Sequence, residues 1–351
     1  MNSPPQAILQ ALGIDPDSAK CTLDTSGFGS GFSRTSVLHI EPKAQENTGP
    51  GRKYFIKTSH DGAASKEMFH GEYESLNAIA NAVPDFCPRA LAWGPLDQKK
   101  AYFLATEFLE LKGRWARTSA DADVRKHGSL AYRLGQLHKT PAPVDPETGR
   151  RRYGFPVPTY CGDTKQRNHF TDSWAEFYAN ERLLAVLALS EKQNGPDEEL
   201  SELVGRTAHA VVPRLLGDGH LGYDSQGNGD GIQPVVVHGD LWSGNTDYGR
   251  IVGSERGDSE MGDVVYDSSA CYAHSEFDIG IMHMFGGFGP DFFDQYHRIV
   301  PKTEPVEEYD DRIRLYELYH HLNHQAIFGG GYRSGAMSIM KKLIRKYSDT
   351  S

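Results

Sequence analysis

The chain changes from strand-forming to helix-forming patterns close to Leu109, and this change constrains its fold more than any other feature. Before it, short β-prone runs alternate with turn residues, and residues 65–81 form the one main helical stripe. After it, helical patterning recurs over residues 123–139, 172–189, 200–216 and 307–328. The sequence therefore predicts an α+β protein, with a small antiparallel-sheet domain at residues 1–108 and a larger, mainly helical domain at residues 109–351.

The individual elements follow from the same patterns. A short helix is predicted at residues 5–12, and strands are predicted at residues 35–40, 53–58, 91–94 and 101–106. Within the helical part there is one strand-rich island. In this island an apolar run at residues 234–237 leads into a loop that ends at Asn245, and a second run covers residues 262–267.

Net charge, hydropathy and cysteine spacing limit the partners and the compartment that we expect for the protein. The 351 residues include 37 basic and 47 acidic side chains, a net charge of −10, which argues against a nucleic-acid surface because such surfaces are basic. No apolar stretch reaches the roughly 18 residues that a transmembrane helix needs, and the N-terminus lacks the pattern of a secretory signal. The cysteines lie far apart, which favours reduced thiols. We expect a cytoplasmic protein without nucleic-acid or membrane partners, and the sequence predicts no oligomeric state.

The string HGDLWSGN at residues 238–245 carries the strongest chemical signal. Asp240 follows an apolar run, Asn245 comes five residues later, and Asp267 ends the next run. Asn and Asp oxygens suit Mg²⁺, and a carboxylate held beside them can accept a proton from an attacking hydroxyl. A D-x-x-x-x-N spacing alone is more often a turn that caps strands, but its context here favours the catalytic loop of a kinase. We predict Asp240 as the catalytic base and Asn245 and Asp267 as metal ligands.

A kinase needs a nucleotide site, and the first domain offers residues for ATP. Gly29 and Gly31 belong to a glycine-rich turn between strand-forming segments, where backbone amides can approach phosphates, although the Walker pattern is missing. Lys57 follows on a later strand-forming run, in the order of the V-A-I-K lysine of kinases; a solvated strand-end lysine is the ordinary alternative. We predict that Gly29, Gly31 and Lys57 contact ATP.

Two further segments complete the predicted nucleotide site. The partner of Lys57 is expected to be a glutamate on the following helix, with Glu72 as the first choice, Glu67 and Glu74 as alternatives, and a solvated helix charge as the ordinary explanation. The segment TEFL at residues 106–109 falls where the two domains meet. We predict that adenine is bound by the backbone of Glu107, Phe108 and Leu109.

The string at residues 238–245 closely resembles the fructosamine kinase (ketosamine-3-kinase) family. The resemblance continues through DSSACYAHSEFD at residues 267–278 and MFGGF at residues 284–288, with further matches in LGQLH, YGF and WAEFY, and it spans about residues 25–345. That family belongs to the protein-kinase-like superfold, near the aminoglycoside phosphotransferases. The resemblance thus implies a bilobal fold with a small antiparallel-sheet N-lobe, a larger helical C-lobe and Mg²⁺-ATP in the cleft between them.

The resemblance also implies an activity. Members of the family use ATP to phosphorylate the 3-hydroxyl of ketosamines, which are sugars joined to amines by glycation, as fructosamines, ribulosamines or erythrulosamines on free amino acids or protein lysines. The 3-phosphate is unstable and sheds the sugar, so the family is associated with deglycation repair. By this resemblance Asp240 takes the base position, Asn245 and Asp267 the metal positions, and Lys57 the phosphate position.

Three further residues are candidates for the sugar site. Trp242 lies two residues past the base position, and its ring can pack on the C–H faces of a sugar. A core tryptophan is the alternative, and the family pattern favours the sugar. His274 and Glu276 follow the Asp267 segment. They either orient sugar hydroxyls or the substrate amine, or brace the loop by hydrogen bonds, and both alternatives stay open.

Two other functions are alternatives to the ketosamine kinase. The first is another small-molecule kinase of the same fold, which acts on an aminoglycoside or on choline. The second is a pseudokinase, a scaffold that binds nucleotide without catalysis. The joint presence of all four kinase residues argues against the pseudokinase: Lys57, Asp240, Asn245 and Asp267.

Overall fold

The computed structural model describes residues 2–25, 33–43, 51–113, 128–254 and 257–348. Gly29 and Gly31 lie outside these ranges, so their contact with ATP stays a prediction. The chain forms two compact units. The first combines Met1–Arg133 with Asn245–Ser268, and the second combines Leu134–Gly244 with Ser269–Ser351.

Within the described ranges, strands predominate before residue 112 and helices predominate after it. The strands are β1 (Ala19–Asp24), β2 (Arg34–Pro42), β3 (Arg52–Ser59), β4 (Ala90–Pro95), β5 (Tyr102–Leu111), β6 (Thr159–Cys161), β7 (Thr164–Gln166), β8 (Val235–Val237), β9 (Thr246–Val252), β10 (Gly262–Val265) and β11 (Cys271–Ala273). The α-helices are α1 (Gln6–Ala11), α2 (Ala63–Ala82), α3 (Leu130–Lys139), α4 (Trp174–Phe177), α5 (Ala185–Asn194), α6 (Glu198–Arg206), α7 (Val212–Leu216), α8 (Phe277–Phe285), α9 (Pro290–His297), α10 (Tyr309–Phe328) and α11 (Tyr332–Tyr347). The π-helical segments Tyr178–Leu184 and Thr207–Val211 join α4 to α5 and α6 to α7.

An antiparallel sheet organises the first unit. Its strands follow the order β1-β2-β3-β5-β9-β10, and β4 also pairs with β5. Strand β5 changes partner along its length, because pairing with β3 ends at Tyr54↔Glu107 and pairing with β9 begins at Phe108↔Val252. The hairpin of β9 and β10 is thereby added to the sheet of the first unit.

The observed units differ from the predicted domains 1–108 and 109–351. The predicted boundary cuts through β5, whereas that strand continues to Leu111 and pairs with a hairpin from much later in the chain. The physical reason is that backbone N–H and C=O groups at a strand end need partners, and β9 supplies them. Asn245 and Asp267 therefore belong to the first unit, which also contains Lys57.

The second unit is mainly helical and is built around buried aromatic residues. Trp174 of α4 donates its Nε1–H to the hydroxyl of Tyr316 on α10 at 2.8 Å, and the ring of Phe277 on α8 lies 5.9 Å from each of their rings. Strand β8 pairs with β11, and every residue of both strands is buried. This pairing fixes the point from which the loop at residues 238–244 leaves the core.

Most predicted elements are confirmed. The helix expected at residues 65–81 is α2, the helix at 307–328 is α10, and the strands expected in the first domain correspond to β2, β3, β4 and β5. The sequence patterns missed β1, which pairs with β2 in register. Residues 123–127 of one predicted helix lie outside the described ranges, and α3 covers the rest of it from Leu130. Within the described ranges, no helix is long and apolar enough to cross a membrane.

Candidate active site

Strand β3 sets the position of Lys57. Because side chains alternate along a strand, Ile56 is buried in the core and Lys57 lies on the opposite face. Its Nζ donates to Oε1 of Glu72 on α2 at 2.7 Å, and both side chains are only 13% exposed. Glu74, one of the alternative partners, lies 3.7 Å from His70 instead. The prediction that Glu72 pairs with Lys57 is confirmed.

Asp267 is a second carboxylate on Lys57. The Nζ of Lys57 donates to Oδ1 of Asp267, which follows β10 and has a half-exposed side chain. The backbone φ of Asp267 is +56°, in the left-handed region that Asp tolerates better than most residues. Such conformations cost free energy and are concentrated at functional sites, so the backbone points to the same residue as the sequence motif.

The two carboxylates decide the charge of Lys57. Burial alone would lower the pKa of Lys57, but the negative charges of Asp267 and Glu72 outweigh it and raise that pKa above its ordinary value. Burial raises the pKa of Glu72, and the charge of Lys57 opposes this rise. Lys57 is therefore a stable cation, and an ammonium held in this way is suited to pair with phosphate oxygens.

Asn245 lies beside Asp267 in the same unit. The Asn245 side chain is buried, its backbone carbonyl accepts the N–H of Tyr266 at 3.1 Å, and its Nδ2 donates to the backbone carbonyl of Asp267 at 3.5 Å. The structure thus brings together two predicted metal ligands that are 22 residues apart in the sequence. Their amide and carboxylate oxygens fit Mg²⁺, which usually takes few protein ligands and completes its shell with water and phosphate.

In the second unit, the loop that carries the predicted base is held by a buried carboxylate. The N–H groups of His238 and Gly239 donate to the two oxygens of Asp278 at 2.7 and 2.8 Å, and Nε2 of His138 lies 3.0 Å from the same carboxylate. Burial alone would raise the pKa of Asp278, but these hydrogen bonds and the charge of His138 outweigh it and lower that pKa. Asp278 therefore stays ionised and fixes the peptide groups that precede Asp240.

Gly239 makes the turn into Asp240 possible. Its φ is +84°, and a Cβ at this position would lie 2.0 Å from the carbonyl oxygen of Ser269. Only glycine combines this conformation with so close an approach. The next residue, Asp240, is half-buried, and its N–H donates to Nδ1 of His238 at 3.3 Å. The geometry thus explains why His238 and Gly239 precede Asp240 in the sequence motif.

Trp242 is a surface residue, so the alternative of a core tryptophan is wrong. Its side chain is 40% exposed, and its ring centroid lies 5.9 Å from that of Phe285, which is also exposed. The indole lies across Gly244, where a Cβ would come within 2.1 Å of the ring. The loop therefore presents an aromatic face whose position depends on a glycine two residues later.

For His274 and Glu276, which were predicted either to contact the substrate or to brace the loop, the contacts of both side chains support the bracing alternative, and a substrate contact stays a prediction. Both are buried. His274 shares hydrogen bonds of 2.8 Å with the hydroxyls of Tyr316 and Thr303. Glu276 accepts from Nε of Arg312 and from the N–H of Thr303, each at 2.8 Å. Burial lowers the pKa of His274 to about 4, so this ring is neutral at neutral pH.

The bracing role of Glu276 leads to a prediction for Glu276→Gln. Glu276 and Arg312 form an ion pair in which both side chains are at most 2% exposed, so removal of the negative charge leaves a buried guanidinium without its counter-ion. We expect the free energy of unfolding to fall by about 3 kcal/mol. A chemical denaturation curve measures this loss. The KM for the acceptor substrate should stay unchanged. A large rise in this KM without a loss of stability would instead indicate that Glu276 contacts the substrate.

The backbone N–H of Glu107, one of the groups predicted to bind adenine, is already hydrogen-bonded within the fold. Its N–H already donates to the carbonyl of Arg89 at 2.9 Å, and its buried carboxylate accepts the N–H of Arg89 at 3.0 Å. These bonds make Glu107 a structural residue of β5. Phe108 and Leu109 differ, because within the described strands they pair with β9 alone. The role of all three residues in adenine binding stays a prediction.

Two residues that position the Asp240 loop were not predicted from the sequence. Asp278 and His138 lie in the strings SEFD and LGQLH, which were used for the family resemblance without any role for either side chain. One local signal could have pointed to Asp278. It lies among apolar residues at the start of α8, and a buried carboxylate needs hydrogen-bond donors around it. Nothing in the local sequence indicates that those donors are the backbone N–H groups of the loop.

The fold and the kinase-type residues define a class of protein. A thermostable mutant of an aminoglycoside phosphotransferase, solved in a ternary complex with ADP and hygromycin B, matches 98% of this chain and 98% of its own with a TM-score of 0.54 and 13% identity. At this identity the likeness shows the fold alone. The chain accordingly has the α+β fold of the kinase-like phosphotransferases.

The chain belongs to the fructosamine kinase family, whose sequence pattern it matches over residues 37–346. It is 32% identical over 310 residues to the ketosamine-3-kinase of Mus musculus, with 85% of this chain and 90% of the relative covered. It is 30% identical to a chloroplastic protein-ribulosamine 3-kinase of Arabidopsis thaliana, with 83% and 76% covered. A crystal structure of a candidate fructosamine-3-kinase from Thermobifida fusca matches with a TM-score of 0.70 and 21% identity over 98% of this chain and 99% of that one.

Proposed function

We propose that the protein transfers the γ-phosphoryl group of Mg²⁺-ATP to the 3-hydroxyl of a ketosamine. The observation that carries phosphoryl transfer is the position of Lys57 between Glu72 and Asp267, since this arrangement fixes a cation for phosphate next to a candidate metal ligand. The acceptor is supported by the relatives named ketosamine-3-kinase and protein-ribulosamine 3-kinase.

Each residue then has one task in the reaction. Lys57 pairs with phosphate oxygens of ATP, and Asn245 and Asp267 supply oxygen ligands for Mg²⁺. Bound Mg²⁺ supplies charge neutralisation on the phosphates. Asp240 accepts the proton of the 3-hydroxyl as its oxygen bonds to the γ-phosphorus and ADP leaves. Asp278 keeps the peptide groups before Asp240 in place, so it is a positioning residue.

The fate of the product connects the reaction with repair. We propose that the 3-phosphate is unstable and sheds the sugar, which returns the amine to its original state. The substrates are then ketosamines on free amino acids or on protein lysines. We place this activity in the cytoplasm, which is supported by the cysteines: Cys21, Cys87, Cys161 and Cys271 are all free thiols, as expected in a reducing compartment.

The exposed ring of Trp242 supports a sugar contact. We expect Trp242→Ala to raise the KM for a ketosamine about tenfold, because an aromatic contact of this kind contributes roughly 1–1.5 kcal/mol. Trp242→Phe should retain most of the affinity. Steady-state kinetics at saturating ATP measures the KM of both variants. Phe170→Ala is the control, because Phe170 is an aromatic residue of similar exposure, 38% against 40% for Trp242. Equal KM values in Trp242→Ala and the unchanged protein would exclude the contact.

A panel of acceptors tests the proposed function against the alternatives. ATP consumption is measured with ribulose-lysine, fructose-lysine, choline and an aminoglycoside. We expect turnover with at least one of the two ketosamines. Turnover with choline or the aminoglycoside and with neither ketosamine would replace the proposal with another small-molecule kinase. ATP binding without turnover of any acceptor would indicate a pseudokinase.

A further inference from the structure

Two side chains that phosphoryl transfer does not use lie beside Asp240. They are Cys161, at the end of β6, and His320, on α10. Cys161 Sγ, a ring nitrogen of His320 and a carboxylate oxygen of Asp240 all lie within 4.8 Å of one another. Cys161 and His320 are almost completely buried, whereas Asp240 is only half-buried. Asp240 is therefore the member of the cluster that solvent reaches.

The imidazole of His320 lacks the partners that a buried polar group normally has. Neither Nδ1 nor Nε2 has a hydrogen-bond partner among the described residues, although the residue is 0% exposed. Each unsatisfied buried polar atom costs about 1–3 kcal/mol. Burial also lowers the pKa of His320 to about 3, so the ring is neutral and keeps a lone pair. A ligand that accepts this lone pair would relieve the cost.

We propose that Cys161, His320 and Asp240 form a binding site for a divalent cation of the Zn²⁺ type, and that occupation of this site inhibits the enzyme. One thiolate, one imidazole and one carboxylate with a fourth position for water are a donor set of Zn²⁺, whereas Mg²⁺ prefers oxygen ligands only. Zn²⁺ bonds of about 2.0–2.3 Å separate tetrahedral ligand atoms by roughly 3.3–3.8 Å, so atoms that now lie within 4.8 Å of one another would approach by at most about 1.5 Å.

The surroundings hold the thiol in place for such a site. Nδ2 of Asn323 on α10 donates to the carbonyl oxygen of Cys161 at 3.2 Å and to its Sγ at 3.4 Å, so β6 is tied to the helix that carries His320. Burial and the charge of Asp240 raise the pKa of the Cys161 thiol, which is therefore protonated before metal binds. Binding forms the sulfur–metal bond and releases the thiol proton to solvent.

The inhibitory half of the proposal rests on the proposed function. A cation on the carboxylate of Asp240 occupies the oxygen that would accept the proton of the acceptor hydroxyl, so phosphoryl transfer stops. The binding half is independent of any activity. The two halves can therefore be tested separately.

Co²⁺ is the probe for binding, because a bond between thiolate and Co²⁺ gives a charge-transfer absorption band in the near ultraviolet. We expect the full chain to bind one equivalent of Co²⁺ with this band, and Zn²⁺ to abolish it. The band should be lost in Cys161→Ser and in His320→Leu, and it should persist in Cys271→Ser, which removes another buried thiol of the same unit. Circular dichroism shows whether each variant is folded, and the two ligand variants make the test independent of a folding failure in one of them.

Three results would overturn the site. They are the absence of the band in the folded full chain, its persistence in folded Cys161→Ser, and its loss in Cys271→Ser alone. The second readout is kinase activity in excess Mg²⁺, where we expect micromolar Zn²⁺ to inhibit the unchanged protein. Cys161→Ser should need at least about tenfold more Zn²⁺, because loss of a mere outer-shell partner already costs about 10–100-fold in metal affinity. Co²⁺ binding without inhibition by Zn²⁺ would overturn the inhibitory half. If the chain has no ketosamine kinase activity, the proposed function is wrong, but the Co²⁺ measurement still decides whether the metal site exists.

Discussion

Asp240→Asn is expected to lower kcat by about 10²–10⁴-fold, the range that a general base contributes. The amide has the size and shape of the carboxylate but cannot accept the proton of the acceptor hydroxyl. The hydrogen bonds that hold this loop come from the backbone of His238 and Gly239 to Asp278, so they do not depend on the Asp240 side chain. The fold and the affinity for ATP should therefore stay close to those of the unchanged protein.

The measurement combines single-turnover kinetics with equilibrium binding of ATP. Asp294→Asn is the matched control, because Asp294 is an exposed aspartate on α9 of the same unit. It should leave kcat unchanged. Full activity of Asp240→Asn would remove Asp240 as the base, and a parallel loss of ATP binding would assign it to the nucleotide instead.

Lys57→Met is expected to have the second large effect, on both activity and stability. Loss of a preorganised charge next to the transferred phosphate costs on the order of 10²–10³ in kcat. The same change leaves the buried carboxylate of Glu72 without its cation, and breaking a buried ion pair in this way costs about 3–5 kcal/mol. We therefore expect lower kcat/KM for ATP together with a lower Tm.

Thermal unfolding and ATP kinetics separate these two effects. Lys66→Met, on the exposed side of α2, is the control for the loss of a lysine. Glu72→Gln and Glu74→Gln form a second matched pair, since of these two glutamates only Glu72 contacts Lys57. Glu72→Gln should weaken the use of ATP and Glu74→Gln should not. Equal effects of the two glutamine variants would contradict the assigned pair.

The kinase-type residues could be predicted because their signals are local. Asp240 and Asn245 lie on one loop, and Lys57 lies on a strand whose alternation is visible in the sequence. The sequence of α2 alone could not identify Glu72 as the partner of Lys57, because Glu67 and Glu74 lie on the same helix. The structure selects Glu72 by the way α2 packs against β4 and β5, which the local sequence does not show.

The features that local sequence did not show concern residues whose partners are far away in the sequence. Glu276 is a polar residue that follows Asp267, a predicted metal ligand. Its burial depends on its ion pair with Arg312, 36 residues later. The N–H of Glu107 is occupied by Arg89, 18 residues earlier. The two compact units differ from the predicted domains for the same reason, because β5 pairs with a strand that follows it by more than a hundred residues. In each case a non-local contact overrode a sound local pattern.

The most direct test of the proposed activity is the position of the phosphate in the product. Phosphorus NMR is recorded while the protein turns over ATP with a ribulose-lysine or fructose-lysine acceptor. We predict a phosphate monoester coupled to the proton on carbon 3 of the sugar, followed by its decay as free lysine appears. A phosphate on any other hydroxyl, or ATP that stays intact with both acceptors, would contradict the proposed reaction.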